Sequence, residues 1–164
     1  MFAQHTLELA RTVVSGLTAL GKTLSVAESC TGGLIGGAIT AVPGSSSVFL
    51  GGVIAYSNEI KQRMLRVPGE ALEAHGAVSG ETVRAMADGA AAVTGSDYAV
   101  SVSGIAGPDG GTPQKPVGLV FIGLRTPKGT EAFEHRFDGD REAVRLQAVE
   151  TALSRVVEAV LRGG

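Results

Sequence analysis

The stretch Ser25-Val26-Ala27-Glu28-Ser29-Cys30-Thr31-Gly32-Gly33 indicates how this chain folds. An apolar run ends there in small hydroxyl residues and two glycines, and an apolar helical pattern follows at once. This order predicts a strand that delivers Ser29 to a sharp turn, with a helix N-terminus behind it. The free amides of such a helix start form a site for an anion or an oxyanion. The alternative is that Ser29 or Thr31 only caps the helix, the commonest task for these residue types.

Helical and strand patterns alternate through the rest of the chain. Apolar residues recur at helical spacing from residue 7 to residue 20, and Gly21 ends the pattern. Further helices are predicted over residues 34–42, from the cap Asn58 to residue 65, over residues 70–75, from the cap Ser79 to Gly95, and from Asp140 onward. Strands are predicted over residues 23–27, 48–56, 98–102, 117–124 and 130–137, the last two joined by a hairpin. We therefore expect an α/β fold, a three-layer α/β/α sandwich around a mixed, mostly parallel sheet with a late antiparallel hairpin.

Composition limits the function classes that this chain can belong to. Its 14 basic and 16 acidic residues form no basic cluster, which argues against a large nucleic-acid interface. The apolar runs are too short to cross a membrane, the single Cys30 excludes an internal disulfide, and no His, Asp or Glu spacing resembles a metal site. We expect one cytoplasmic domain over residues 1–164, with no metal, no cofactor and no nucleic-acid or membrane partner.

Hydroxyl residues follow three of the predicted strands. Ser29 follows the first strand, Tyr56-Ser57-Asn58 follow the second, and Ser103-Gly104 follow the third. Ligands of open α/β sheets collect outside the carboxyl ends of the strands, so these residues predict one site. The glycine-rich loop over residues 103–116 is long for a compact domain, which also favours a functional role.

Lys61 is the candidate partner of Ser29. If Asn58 caps the next helix, Lys61 lies in its first turn, where the helix dipole favours a lowered lysine pKa. Glu59 would offset that effect, depending on where its carboxylate points. A serine–lysine pair is an established way to activate a nucleophile, and an ordinary surface lysine is the alternative. Cys30 is a second candidate nucleophile, although a residue in its position more often packs in the core.

Two arginines could bind an anionic group. Arg141 and Arg145 share one face of the last predicted helix at a spacing of four residues. Arginine pairs bind phosphate because the guanidinium offers a planar fork of donors. The alternative is a solvated helix face paired with Asp138 or Glu142. Together the residues predict a metal-free hydrolase with a small anionic substrate.

A series of sequence blocks resembles the CinA C-terminal domain family. In chain order the blocks are Ala27-Glu28-Ser29-Cys30-Thr31-Gly32-Gly33, Tyr56-Ser57-Asn58, His75-Gly76-Ala77-Val78-Ser79, Ser103-Gly104-Ile105-Ala106-Gly107-Pro108-Asp109-Gly110-Gly111, Lys115-Pro116-Val117-Gly118, and Gly139-Asp140-Arg141 with Arg145. The resemblance covers residues 7–160. Longer CinA proteins carry an additional N-terminal molybdopterin-binding-like domain. Because the blocks found in this sequence are those of the C-terminal domain, the resemblance implies the stand-alone amidase form.

The resemblance implies a nicotinamide-nucleotide amidase, which converts nicotinamide mononucleotide into nicotinate mononucleotide and ammonia in pyridine-nucleotide (NAD) salvage. It implies Ser29 as the nucleophile, Lys61 as its base and Tyr56 as an orienting or relaying residue, with the amides of residues 31–33 as oxyanion donors. With the strand ends and the arginines added, the expected substrate-binding residues are Thr31, Gly32, Gly33, Ser103, Gly104, Arg141 and Arg145.

Two other hypotheses stay open. The chain could be a non-catalytic nucleotide-binding or competence-related interaction domain, or a purely structural oligomer domain. The Ser29–Lys61 distance separates the first of these from the amidase, since a binding module does not need the two side chains within hydrogen-bond reach. The glycine-rich apolar strand over residues 49–55 leaves room for a contact between subunits, so we expect a homo-oligomer.

Overall fold

The computed structural model describes residues 1–163, so Gly164, the last residue of the expected domain, lies outside the described residues. The helices are α1 Gln4–Leu20, α2 Leu34–Thr40, α3 Asn58–Leu65, α4 Gly69–His75, α5 Gly80–Thr94 and α6 Arg141–Leu161, with a short 3-10 helix at Ser45–Ser47. The strands are β1 Leu24–Glu28, β2 Phe49–Ile54, β3 Tyr98–Gly104, β4 Leu119–Thr126 and β5 Gly129–Arg136.

The five strands form one mixed sheet in the order β2-β1-β3-β4-β5. Strand β1 pairs in parallel with both β2 and β3, whereas β4 and β5 are antiparallel to their neighbours. Strands β4 and β5 are joined by a tight hairpin in which Thr126 pairs with Gly129. The predicted fold class is confirmed.

Helices cover both faces of the sheet. One apolar core lies between the sheet and α1, α2 and α6, and a second lies between the sheet and α3, α4 and α5. All five residues of β1 are buried, as expected for a central strand covered on both faces. The residue after β1 therefore follows the carboxyl end of a strand that is paired on both sides.

Several predicted boundaries are wrong in detail: β2 ends at Ile54 and β3 continues to Gly104, and three further differences have a visible cause or position. Helix α3 is capped by Ser57, whose side chain accepts a hydrogen bond from the Ile60 amide at 3.2 Å, so Asn58 is already helical. The helix predicted over residues 34–42 ends at Thr40. Strand β4 begins at Leu119 because residues 116–118 form a turn that contains Gly118 at φ +92°.

Candidate active site

Ser29 lies directly after β1, at the carboxyl ends of the three parallel strands. Its amide donates a hydrogen bond of 3.0 Å to the carbonyl oxygen of Val102 on β3, which fixes the start of the turn. The residue is only 8% exposed. Side chains alternate along a strand, so Ser29 projects to the same sheet face as Ala27, the face covered by α3, α4 and α5.

Lys61 reaches Ser29 from α3. Its Nζ lies 3.2 Å from Ser29 Oγ and 3.0 Å from the carbonyl oxygen of Tyr56. Lys61 is only 1% exposed, and this burial lowers its pKa from the ordinary value of 10.5. The Glu59 carboxylate points away to Arg63 at 3.2 Å, so it is not directed at the Lys61 amine. The structure brings the two predicted residues together in a buried pair.

Tyr56 contacts Lys61 through its main chain. The carbonyl oxygen accepts the Lys61 hydrogen bond, whereas the side chain is 61% exposed and its Oη accepts from Arg141 Nη2 at 3.2 Å. The structure therefore gives Tyr56 an orienting contact with the amine and places its phenol at the outer rim of the site.

Glu28 is the site residue that the sequence reasoning missed. It is 1% exposed, and its Oε2 accepts hydrogen bonds from Thr31 Oγ1 at 2.6 Å and from the amides of Gly33 and Ile35 at 3.0 and 3.1 Å. Its Oε1 accepts from the Gly36 amide at 2.8 Å. The start of α2 is thus occupied by a carboxylate of the chain itself.

The amides of the turn differ in what they bind. Gly33 donates to Glu28, and Gly32 donates to the carbonyl oxygen of Ser29 at 3.0 Å. Within residues 1–163 the amides of Cys30 and Thr31 donate to no oxygen atom. Of the three expected oxyanion donors over residues 31–33, the amides of Gly32 and Gly33 are therefore engaged and the amide of Thr31 is free. The amide of Cys30, which was not among the expected donors, is free as well.

The Cys30 side chain points into the apolar core on the other face of the sheet. Burial raises the pKa of its thiol to about 11, so the group stays a neutral thiol at physiological pH. A thiolate is the reactive form of cysteine, so this environment favours packing over nucleophilic attack.

The two arginines of α6 bind main-chain carbonyl groups around the turn. Arg145 donates from Nε to the Cys30 carbonyl oxygen at 3.0 Å and from Nη2 to that of Thr31 at 3.2 Å. Arg141 donates from Nη1 to the Gly107 carbonyl oxygen at 2.8 Å, besides its contact with Tyr56. Arg145 therefore braces the Ser29 turn (residues 29–33), and Arg141 ties the long loop to the rim.

Ser103 and Gly104 end β3 next to the turn. Ser103 is buried, and a Cβ on Gly104 would lie 2.6 Å from Val120 Cγ2 and 2.9 Å from the Leu119 carbonyl oxygen. Close packing against β4 thus explains the glycine.

The family comparison agrees with these features. The model of the CinA C-terminal domain matches residues 6–160. The chain belongs to the CinA C-terminal domain family.

Curated relatives carry the same domain within longer proteins. A CinA-like protein of Parasynechococcus marenigrum is 58% identical over 151 residues, which cover 90% of this chain and 36% of the relative. A CinA-like protein of Anaeromyxobacter sp. (strain K) is 48% identical over 154 residues, covering 94% and 38%. The chain therefore spans little more than a third of the length of these relatives.

Solved CinA structures resemble nearly all of the chain. The competence/damage inducible protein CihA of Agrobacterium tumefaciens is 44% identical, with a TM-score of 0.94 over 98% of both chains. A CinA superfamily protein of Klebsiella pneumoniae is 38% identical, with a TM-score of 0.92 over 96% of this chain and 98% of that one.

The CinA domain also carries an open cleft of about 500 Å³, whose lining includes Ser79 at the start of α5 and Lys115 of the long loop.

Among residues 1–163 no three His, Cys, Asp or Glu side chains gather as a metal site. In the same part of the chain, no helix combines the length and the apolar character needed to span a bilayer.

Proposed function

We propose that this CinA domain hydrolyses the carboxamide of nicotinamide mononucleotide, giving nicotinate mononucleotide and ammonia. The observation that carries the proposal is the Ser29–Lys61 pair, with 3.2 Å between Oγ and Nζ and a lysine pKa lowered by burial. A lysine with a lowered pKa is neutral more often, and only the neutral amine has a lone pair that can accept the serine proton. The resemblance of the sequence blocks to amidases of this family supplies the substrate.

The reaction follows from the roles of these groups. Lys61 takes the hydroxyl proton while Ser29 Oγ forms a bond to the carboxamide carbon, and the Tyr56 carbonyl holds the amine in place. The carboxamide oxygen of the substrate then gains negative charge and accepts hydrogen bonds from the amides of Cys30 and Thr31. The C–N bond then breaks as Lys61 returns its proton to the nitrogen, releasing ammonia. Water attacks the acyl-enzyme, with Lys61 again as the base.

Arg141 is the proposed contact for the substrate phosphate. It is exposed at the rim, and both of its acceptors, the Gly107 carbonyl and the Tyr56 hydroxyl, are neutral. A phosphate would form stronger, charge-assisted hydrogen bonds with the same guanidinium. Arg145 already donates hydrogen bonds to two carbonyl groups of the turn, so we assign it a smaller part in binding the phosphate.

The first test is ammonia release from nicotinamide mononucleotide with a metal chelator present. The wild type should turn over, Ser29→Ala and Lys61→Met should lose at least about 1,000-fold in kcat, and the control Cys30→Ser should retain activity. Each variant needs a circular dichroism spectrum that shows a native fold.

Two outcomes would contradict the proposal. A folded wild type that binds the nucleotide without releasing ammonia would favour the non-catalytic nucleotide-binding or competence-related interaction domain. That alternative draws support from the competence/damage inducible name of the Agrobacterium relative. Turnover that survives Ser29→Ala would remove the serine from the mechanism.

A further inference from the structure

We infer that Glu28 and Arg145 are positioning residues that hold the Ser29 turn (residues 29–33) from two sides. Their contacts leave the amides of Cys30 and Thr31 free for the oxyanion. The reaction in which they act rests on the proposed function. Glu28 binds the turn and the start of α2 from within, and Arg145 binds the turn from α6. Neither residue touches Ser29 Oγ or Lys61 Nζ, so each acts through the backbone between them.

Glu28 compensates for a helix start that lacks a capping side chain. The N-cap position of α2 is Gly33 at φ +100°, which has no side chain to accept from the first-turn amides. The amides of Gly33, Ile35 and Gly36 donate to Glu28 instead. Since β1 is fixed by pairing on both sides, the carboxylate anchors α2 directly to the strand that precedes Ser29.

All four contacts of Glu28 are donors, three amides and the Thr31 hydroxyl. Both side-chain oxygens therefore act as acceptors, a pattern that a carboxylate satisfies. A carboxamide has the same shape but replaces one acceptor by a donor. Glu28→Gln must therefore lose contacts and place an NH₂ group against an N–H group of the turn.

Arg145 sets the direction of the Thr31 amide. In a trans peptide the C=O and the following N–H point in opposite directions. Because the Cys30 carbonyl is held by Arg145 Nε, the Thr31 N–H points away from the guanidinium. The same reasoning applies one residue earlier. The Ser29 carbonyl accepts from Gly32, and the Cys30 N–H points away from that contact.

The experiment compares Glu28→Gln, Thr31→Val and Arg145→Lys with the control Glu150→Gln. Glu150 accepts one hydrogen bond, from Thr6 Oγ1 at 2.7 Å, so the control makes the same carboxylate-to-carboxamide change at a contact between α1 and α6 that a single acceptor oxygen can keep. Three quantities are measured: kcat and KM for nicotinamide mononucleotide, the labelling rate of Ser29 by a fluorophosphonate, and the melting temperature. In labelling, Ser29 Oγ bonds to phosphorus, fluoride leaves and Lys61 takes the proton.

Misplacement of a reacting group by about 1 Å costs roughly 100-fold, so we expect Glu28→Gln to lose about 100-fold in kcat with KM changed less than about threefold. Thr31→Val, which removes one of the four contacts, should lose about tenfold, and its labelling rate should fall in parallel. Arg145→Lys keeps the charge but not the two-donor fork, so it should resemble Thr31→Val. Glu150→Gln, which can keep its one hydrogen bond, should leave kcat and labelling unchanged.

Wild-type kcat and labelling in folded Glu28→Gln would overturn the inference. If that variant does not fold, unchanged kcat and labelling in folded Thr31→Val and Arg145→Lys would do the same. Labelling keeps this test separate from the substrate. If the wild type labels at Ser29 but releases no ammonia, the proposed function fails while the labelling rates of the variants still decide the roles of Glu28 and Arg145. A wild type that neither labels at Ser29 nor releases ammonia would overturn both.

Discussion

Lys61 combines deep burial with hydrogen bonds to two neutral groups. Its amine contacts the Ser29 hydroxyl and the Tyr56 carbonyl, and the residue is almost fully removed from water. Burial without an opposite charge disfavours the protonated amine, which is useful for a base and unfavourable for folding. Lys61 should therefore lower the stability of the protein at neutral pH.

We predict that Lys61→Met raises the free energy of unfolding by about 1–2 kcal/mol at pH 7 while abolishing turnover. In the wild type the pKa of Lys61 is lower in the folded state than its ordinary value of 10.5 in the unfolded state. Between the two values the unfolded state binds more protons, so wild-type stability rises with pH and the advantage of Lys61→Met shrinks. Urea unfolding across pH 7–10 measures this.

The matched control for this substitution is Lys128→Met in the exposed hairpin loop. Its stability should stay within about 0.5 kcal/mol of the wild type at each pH, because an exposed amine loses little hydration on folding. A Lys61→Met protein that is less stable than the wild type at pH 7 would show that the lysine stem contributes more by packing than the charge costs.

At the scale of elements, α3 has to approach the sheet closely for Lys61 to reach Ser29. Gly89 of α5 makes this approach possible, because a Cβ there would overlap the carbonyl oxygen of Leu65 at the end of α3. The Leu65 main chain cannot move without shifting the helix that carries Lys61. Gly89 thus links the packing of two helices to the geometry of the candidate site.

Gly89→Ala should destabilise the protein by about 1–3 kcal/mol, a typical cost of overpacking, and should also lower kcat by displacing α3. The matched control is Gly37→Ala in α2, where the new Cβ would lie 3.5 Å from Phe2 Cζ, an ordinary contact. Alanine in a helix interior should leave that variant equal to or about 0.5–1 kcal/mol more stable than the wild type. Thermal melts and ammonia release measure both effects. Equal stability of the two variants would refute the role of Gly89.

The elements show which features a sequence can predict. Periodicity and glycine placement predicted the helices, the strands and the hairpin, because these signals are local. The Ser29 turn was predicted for the same reason. The cap of α3 was misplaced by one residue because Ser57 and Asn58 are both good caps, and only the observed backbone distinguishes them.

The parts of the site that sequence reasoning missed depend on contacts between distant or unexpected partners. Glu28 has the pattern of a polar residue at a strand end, whereas its partners lie in the following turn and in the helix that starts six residues later. Arg145 binds carbonyl groups more than 100 residues away in the chain, and a main-chain carbonyl has no sequence signature. The arginine spacing correctly indicated a shared face, but it could not indicate what that face contacts.

At the scale of the whole molecule, β2 is an edge strand without charged protection. Residues 43–58 contain no charged side chain, and Ile54 on β2 is 57% exposed. Edge strands usually carry charges or prolines that prevent pairing with another chain. The homo-oligomer expected from the sequence stays a prediction, and β2 is the place where we expect the contact with a second copy.

Ile54→Lys should therefore shift the protein from an oligomer to a monomer in light scattering after size-exclusion chromatography, because a lysine at the contact would have to be desolvated. The control is Val93→Lys, which adds the same charge at an exposed position of α5 and should leave the mass unchanged. A monomeric wild type, or an Ile54→Lys protein with the wild-type mass, would contradict the expectation.

The double pairing of β1 has a consequence for hydrogen exchange around the site. Strand β1 is hydrogen-bonded on both sides and fully buried, so its amides should exchange with solvent only when the whole molecule unfolds. The loop over residues 105–118 forms no helix or strand and is exposed over residues 108–114, so we expect the amides of its exposed part to exchange faster than those of β1. Ser29 is thus attached to the strand whose amides we expect to exchange last, whereas the loop beside the site should exchange first.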